Sequence, residues 1–387
     1  MELKPNFKDG SIVNLMSSIA SSYGKKPRYG NLKILKPGSL KDSKTLVLVI
    51  IDGFGYEYIK KHGKGSFMKK HLKGKMTSVF PSTTASAITS FNTGLAPQQH
   101  ALVGWYTYIK EFGSIATILP FYPRGGSKSY AKDGFVYSDC FNAVSFYENL
   151  GIKSYVVNPK SNINSLYTKK ISKGAKRIPH NRNLASFFSA IRKTVRRKDS
   201  KKFVYAYWPI FDGICHYNGT KSKYAIKHFK EIDKGMKQLC SRLKGTNTTL
   251  IITADHGFID TPLEKYVMLN FYPKIYECMS MPASGDSRVC YCYVHPSKAK
   301  QFEKHVKKEL SFCCTLHKSK DLVKKNYFGL YDINPKFLER IGDYVLIAKD
   351  DYVVRDFMPN ETINPFLGSH SGMSKQELYV PLIVIKP

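Results

Sequence analysis

The sequence predicts a doubly wound α/β sheet, mostly parallel and flanked by helices, and three observations predict it. Leu46-Val47-Leu48-Val49-Ile50-Ile51 is an unbroken aliphatic and β-branched run, the composition of a central parallel strand buried on both faces. Similar runs recur at 154–157, 203–208, 249–253 and 380–385, separated by helical patterns such as 224–243. Three of the runs lead to an acidic residue within four positions, at Asp52, Asp212 and Asp255. In open α/β sheets ligands gather at the carboxyl ends of the strands, so these acids stand where a site belongs.

In chain order, residues 11–22 have helical apolar spacing and precede the 46–51 strand. Pro81 and the hydroxyl cluster Ser82, Thr83 and Thr84 then mark a helix start, and Gly94 marks its end. A hydroxyl in that first turn lies beside unpaired backbone N–H groups and the positive end of the helix dipole, where an alkoxide or a phosphate is stabilised. Residues 263–360 break the α/β rhythm. They hold strand-like 289–294, a basic helix at 299–310 and strand-like 344–348. The expected organisation is a core of 1–262 and 361–387 with an α+β cap inserted at 263–360.

Composition narrows the function classes. At 387 residues, 42% apolar and 13% aromatic, the chain reads as globular, large enough for one big domain plus an insertion. Met1-Glu2-Leu3-Lys4-Pro5 lacks a basic-then-apolar leader pattern and no apolar run reaches membrane-spanning length, so a cytoplasmic protein with reduced cysteines is expected. Strand alternation puts Cys290 and Cys292 on one buried face, as small apolar residues rather than zinc ligands. The net charge of +32 favours anionic partners, either small phosphates or nucleic acid. Its one dense basic run, 191–198, reads as the solvated end of a helix.

The chemistry-bearing residues are Asp52, the Asp212/His216 pair in D-x-x-x-H, Asp255-His256-Gly257, and His370 between Gly368-Ser369 and Ser371-Gly372. All can face one edge of one sheet. Such a cluster of carboxylates is costly without cations to balance it, and Asp/His ligands suit zinc, with manganese or iron as alternatives.

This order of motifs, with the hydroxyl of Phe80-Pro81-Ser82-Thr83-Thr84 between the first and second, resembles the alkaline phosphatase superfamily and, within it, the type I phosphodiesterase/nucleotide pyrophosphatase group. The resemblance spans 46–104, 203–260 and 366–385. It implies a nucleophile at Thr84, ten residues before Gly94. It also implies two divalent ions, zinc or manganese, one held by Asp212, His216 and His370 and the other by Asp52, Asp255, His256 and the Thr84 oxygen. The implied reaction is phosphodiester or nucleotide pyrophosphate hydrolysis through a phospho-threonine.

The sequence also departs from that group. Gly94-Leu95-Ala96-Pro97-Gln98-Gln99-His100-Ala101 keeps most of a G-x-x-P-x-x-H-G segment, with His100 expected to pack behind the helix. Trp105, however, stands where the group has an Asn that helps hold the phosphoryl oxygen. Trp105, Arg124 and Lys128 are the candidate substrate-binding residues, and Tyr106, Tyr108, Phe121 and Tyr122 could join Trp105 in stacking a leaving group. A phosphomonoesterase or phosphonate hydrolase would share the same two-metal site. The C/S-x-P-x-R context that a sulfatase needs is missing at the nucleophile. A non-catalytic nucleic-acid-binding protein is the reading from another class, but no zinc finger, helix-turn-helix or RNA-recognition aromatic signature supports it.

Overall fold

Thr45–Ile51 is buried along its whole length and forms the middle strand of a seven-stranded sheet. The structure is a computed structural model that describes residues 3–361 and 365–387; residues 1–2 and 362–364, which fall in the stretches assigned above to the core, lie outside the described residues. The strand order is Leu72–Thr77, Tyr379–Ile385, Thr248–Thr253, Thr45–Ile51, Lys202–Trp208, Lys153–Pro159, Ala175–His180. From Thr248–Thr253 to Ala175–His180 every pairing is parallel. Tyr379–Ile385 runs antiparallel to both of its neighbours. This is the doubly wound, mostly parallel α/β class.

Local chemistry sets the flanking helices. Ser11 and Asn14 form a reciprocal capping box at the start of Ile12–Ser22, whose inner face packs on Thr84–Thr93. Ser222 caps the long helix Lys223–Arg242, which packs against Leu184–Val195 and buries Phe229, Ile232, Met236 and Leu239 on one stripe. Arg196 and Arg197 just beyond Leu184–Val195 are exposed, as expected for a solvated helix end. Among the described residues, no helix is long and apolar enough to cross a membrane.

A second seven-stranded sheet, antiparallel throughout, stands against the carboxyl edge of the first. Its order is Cys314–Lys318, Tyr344–Ala348, Val289–Cys292, Ser284–Asp286, Tyr106–Ile109, Ser114–Thr117, Tyr122–Pro123. The chain therefore builds this sheet from 106–123 as well as from 284–348. Cys290 and Cys292 point to one apolar cluster with Phe302 and Val306 of the basic helix Ala299–Glu309. Val289 and Tyr291 point to another, with Phe80, Val103 and Phe328. Period-2 alternation thus gives the sheet two apolar faces, one under its own helix and one against the segment that leads to Thr84.

One buried ion pair pins the two sheets together. Arg288 Nε donates to Glu377 Oε1 at 2.7 Å, with side-chain exposures of 1% and 0%. Glu377 also accepts the backbone N–H of Gly372 at 2.7 Å.

Candidate active site

Parallel pairing brings the strand ends together. Asp52 follows Thr45–Ile51, Asp212 and His216 lie one turn apart on Ile210–Asn218 just after Lys202–Trp208, and Asp255-His256 follows Thr248–Thr253. His370 follows Gly368–Ser369, a short strand paired with Ile259–Asp260. Two glycines allow the turns to close. Gly53 has φ of 71°, and a Cβ on Gly257 would meet the Gln376 carbonyl oxygen at 2.0 Å.

The ligand-type atoms fall into two groups, Asp212/His216/His370 and Asp52/Asp255/His256, each with its donor atoms within 4.8 Å of one another. His216 Nε2 lies 3.5 Å from Asp212 Oδ1, and His370 Nε2 lies 3.9 Å from the same oxygen. His256 Nε2 lies 3.4 Å from Asp52 Oδ1 and 3.5 Å from Asp255 Oδ2. The rings of His256 and His370 stack at 3.7 Å, so the groups share a wall.

Each histidine is oriented by the main chain. Nδ1–H of His216 donates to the Gly368 carbonyl at 2.9 Å, that of His256 to Gly257 at 3.1 Å, and that of His370 to Ser82 at 3.2 Å. These bonds fix the tautomer and leave the Nε2 lone pairs facing the site. Each acid has one oxygen left over. Asp255 Oδ1 accepts the N–H groups of Gly53 and His256 at 3.1 and 3.0 Å, and Asp52 Oδ2 accepts the Tyr207 hydroxyl. Asp52 Oδ1, Asp255 Oδ2 and Asp212 Oδ1 are buried with no hydrogen-bond donor among the described residues.

Histidine Nε2 atoms thus face carboxyl oxygens at 3.4–3.9 Å. Two atoms bound to one tetrahedral zinc stand about 3.3–3.4 Å apart, so the donor sets fit a divalent ion. The electrostatics of the site agree. Burial, then repulsion from Asp255 and Asp212, holds the Asp52 carboxyl well above its usual range, and burial followed by Asp255 does the same to Asp212. Burial pushes His216 down to about 4 and holds His370 well below the usual imidazole range, which keeps both neutral as ligands.

Thr84 is the first residue of the Thr84–Thr93 helix, after Thr83 at the cap, and Gly94 closes the helix in the left-handed conformation. Its Oγ1 stands 3.2 Å from His256 Nε2. Thr84 opens onto a cavity of about 450 Å³ that Asp212, His216 and His370 also line. Trp105, Tyr106, Asp286, Arg355 and Phe366 form much of the remaining wall.

The comparisons with known proteins follow from this geometry. A family model described as type I phosphodiesterase/nucleotide pyrophosphatase matches residues 46–372. The chain belongs to the type I phosphodiesterase/nucleotide pyrophosphatase family. It is therefore a metal-dependent phosphoric ester hydrolase of the alkaline phosphatase superfamily. Among solved structures, murine ectonucleotide pyrophosphatase/phosphodiesterase 5 matches with a TM-score of 0.67 at 18% identity, over 88% of this chain and 88% of that one. Phosphonoacetate hydrolase from Sinorhizobium meliloti, in complex with phosphonoacetate, matches with a TM-score of 0.65 at 16% identity, over 89% of this chain and 90% of that one. At such identities the two likenesses speak for the fold. No curated protein matches the chain.

The substrate side of this phosphodiesterase-family site differs from the sequence expectation. Trp105 lines the cavity. Arg124 also lines it, but its guanidinium is occupied: Nη1 meets Asp356 Oδ1 and Nη2 meets Glu361 Oε2, both at 2.8 Å, and it lies 4.6 Å from the Tyr106 ring centre. Lys128 is exposed and is not among the lining residues. Of the aromatics, Tyr106 faces the cavity, Phe121 is core, Tyr108 packs on Tyr293 and Tyr122 is exposed. His100 is structural, its Nε2 3.1 Å from Ser90 Oγ behind the helix. Sequence reasoning missed Phe366, whose ring lies 4.4 Å from that of His216, and it missed Asp286. Burial pushes the Asp286 carboxyl up to about 7, against the pull of the Trp105 N–H, the Thr83 hydroxyl and Arg355.

Proposed function

We propose that this enzyme hydrolyses phosphodiester or pyrophosphate bonds through a covalent phospho-threonine on Thr84, with two divalent ions, zinc or manganese, held by Asp212, His216 and His370 and by Asp52, Asp255, His256 and the Thr84 oxygen. The observation that carries the reading is the Thr84 hydroxyl at a helix start, within 3.2 Å of one donor group and in the same cavity as the other. Bound there, the ions would lower the hydroxyl's pKa and neutralise charge on the leaving oxygen.

The chain's own residues do the rest. Thr84 Oγ1 forms a bond to phosphorus while the bond from phosphorus to the leaving oxygen breaks, and the proton lost by the Thr84 hydroxyl ends on the departing alcohol or phosphate. Water then attacks the phospho-threonine, releasing the phosphate product and restoring the hydroxyl. Backbone N–H groups of the first helical turn favour the charge that builds on the phosphoryl oxygens. Trp105, Tyr106 and Phe366 offer faces for an apolar or aromatic leaving group.

Substrate charge supports a diester. A monoester carries one more negative charge and needs an extra cation beside the metals. Arg124 is spent on Asp356 and Glu361. Phosphonate hydrolysis is the second reading, favoured by the near-equal likeness of the phosphonoacetate hydrolase fold.

The test is metal removal. Purified protein is expected to contain close to two divalent ions, to lose activity on chelation and to regain it with zinc or manganese. A nitrophenyl nucleotide diester is expected to give a higher kcat/KM than nitrophenyl phosphate, with phosphonoacetate assayed alongside. Tenfold preference for the monoester, about 1.4 kcal/mol, would overturn the substrate class. Chelator-insensitive turnover by metal-free protein would overturn the mechanism.

A further inference from the structure

Asp286 ends the strand Ser284–Asp286, whose Gly285 pairs with Tyr106. That register lays Asp286 beside Trp105, whose backbone N–H donates to Asp286 Oδ2 at 3.0 Å. Trp105 stands where the resemblance drawn from the sequence would place an Asn. Here the indole replaces the amide, and the side chain that the second sheet supplies at this spot is a carboxyl. It is half-buried, lines the cavity together with Thr83 and Thr84, and forms no ion pair among the described residues. The neighbouring charges offset it only in part. Arg124 and Arg355 face Asp356 and Glu361, with Arg355 Nη2 3.4 Å from Glu361 Oε2, so on this wall two guanidinium groups meet three carboxyl groups.

We infer that Asp286 faces the transferred phosphoryl group and selects singly charged phosphodiesters over doubly charged phosphomonoesters. The inference rests on the reading of Thr84 as the phosphoryl acceptor. A carboxyl beside a phosphoryl oxygen has two states. Protonated, it donates a hydrogen bond, the role an amide N–H₂ would fill. Ionised, it repels the phosphoryl group, and the repulsion on a dianion is about twice that on a monoanion at the same distance. Ionised, it disfavours the more highly charged substrate, which needs a cation where this wall has an acid. Gly285 contributes to the placement: its φ of 103° and a backbone approach that would put a Cβ 2.3 Å from the Val289 carbonyl oxygen fix the strand tightly against its neighbour.

Asp286→Asn keeps an acceptor for the Trp105 N–H and a donor for the phosphoryl group while removing the charge. At pH 8, with zinc-loaded protein, it is expected to raise the monoester-to-diester ratio of kcat/KM about tenfold, mainly through a lower KM for the monoester. Inorganic phosphate, a dianion at that pH, is expected to bind the variant about tenfold more tightly by calorimetry, a readout that needs no turnover. Asp286→Ala, which removes the donor as well as the charge, is expected to gain less phosphate affinity than Asp286→Asn. Matching thermal midpoints and metal content establish that both variants are folded and loaded. A substrate ratio and phosphate affinity within twofold of wild type in Asp286→Asn would overturn the inference. If the wild-type protein shows no metal-dependent turnover, the Thr84 reading fails, and the phosphate-binding comparison still decides the role of Asp286.

Discussion

At the residue scale, Thr84 is separable from the fold around it. Thr83 occupies the cap, and Thr84 Oγ1 meets the side chain of His256 rather than the helix backbone. Thr84→Ala is therefore expected to abolish turnover, and the acid-quenched phosphoprotein with it, while changing unfolding free energy by no more than about 1 kcal/mol. If Thr84→Ala retains a near-normal rate and Thr83→Ala does not, the nucleophile is the neighbouring hydroxyl. The metal-ligand candidates were legible in the sequence because a buried hydrophobic run precedes Asp52, Asp212 and Asp255 and marks each as a strand-end residue. Asp286, Arg355 and Phe366 were not. They sit in short strands and irregular segments, and only the antiparallel register of Gly285 with Tyr106 brings Asp286 to Trp105. Arg124 was legible as a basic residue near the site, but its neutralisation by Asp356 and Glu361 comes from residues more than 200 positions away.

At the scale of elements, the Arg288–Glu377 pair joins the second sheet to the loop that carries His370. Arg288 also donates to the carbonyls of Tyr352 and Asp350. Arg288→Met would leave the Glu377 carboxylate buried without its cation, at a cost of about 3–5 kcal/mol. The expected result is a lowered urea midpoint and reduced metal content, with part of both recovered in Arg288→Met/Glu377→Gln. A single variant within 1 kcal/mol of wild type by the same measurement would make the pair a bystander. The central strands were readable because they are apolar on both faces. The edge strands Leu72–Thr77 and Ala175–His180 were not, because Lys73, Lys75, Lys176, Arg177 and Pro179 give them the composition of loops. Charged side chains and proline suit an edge, which must resist pairing with another sheet.

At the scale of the whole molecule, a chain of net charge +32 surrounds a cavity whose far wall carries more carboxyl than guanidinium groups. The long-range field attracts an anionic diester, and the local wall limits how much charge the bound group can carry. The Debye length shrinks from about 30 Å at 0.01 M to about 8 Å at 0.15 M ionic strength, so kcat/KM for the diester is expected to fall severalfold across that range. A flat salt profile would mean that the surface charge plays no part in capture. Composition revealed the sign of that field, whereas the balance inside the cavity depends on which distant acids fold against Arg124 and Arg355. The sheet order has a further consequence, in time rather than in space. Tyr379–Ile385 lies between Leu72–Thr77 and Thr248–Thr253, two strands synthesised before it. A chain still on the ribosome therefore leaves one edge of Thr248–Thr253 unpaired and Leu72–Thr77 without its strand partner until residue 385 emerges. The segment toward Thr84 follows Leu72–Thr77 and the Asp255 turn follows Thr248–Thr253, so the sheet joins Thr84's segment to the Asp255 turn only once Tyr379–Ile385 lies between them.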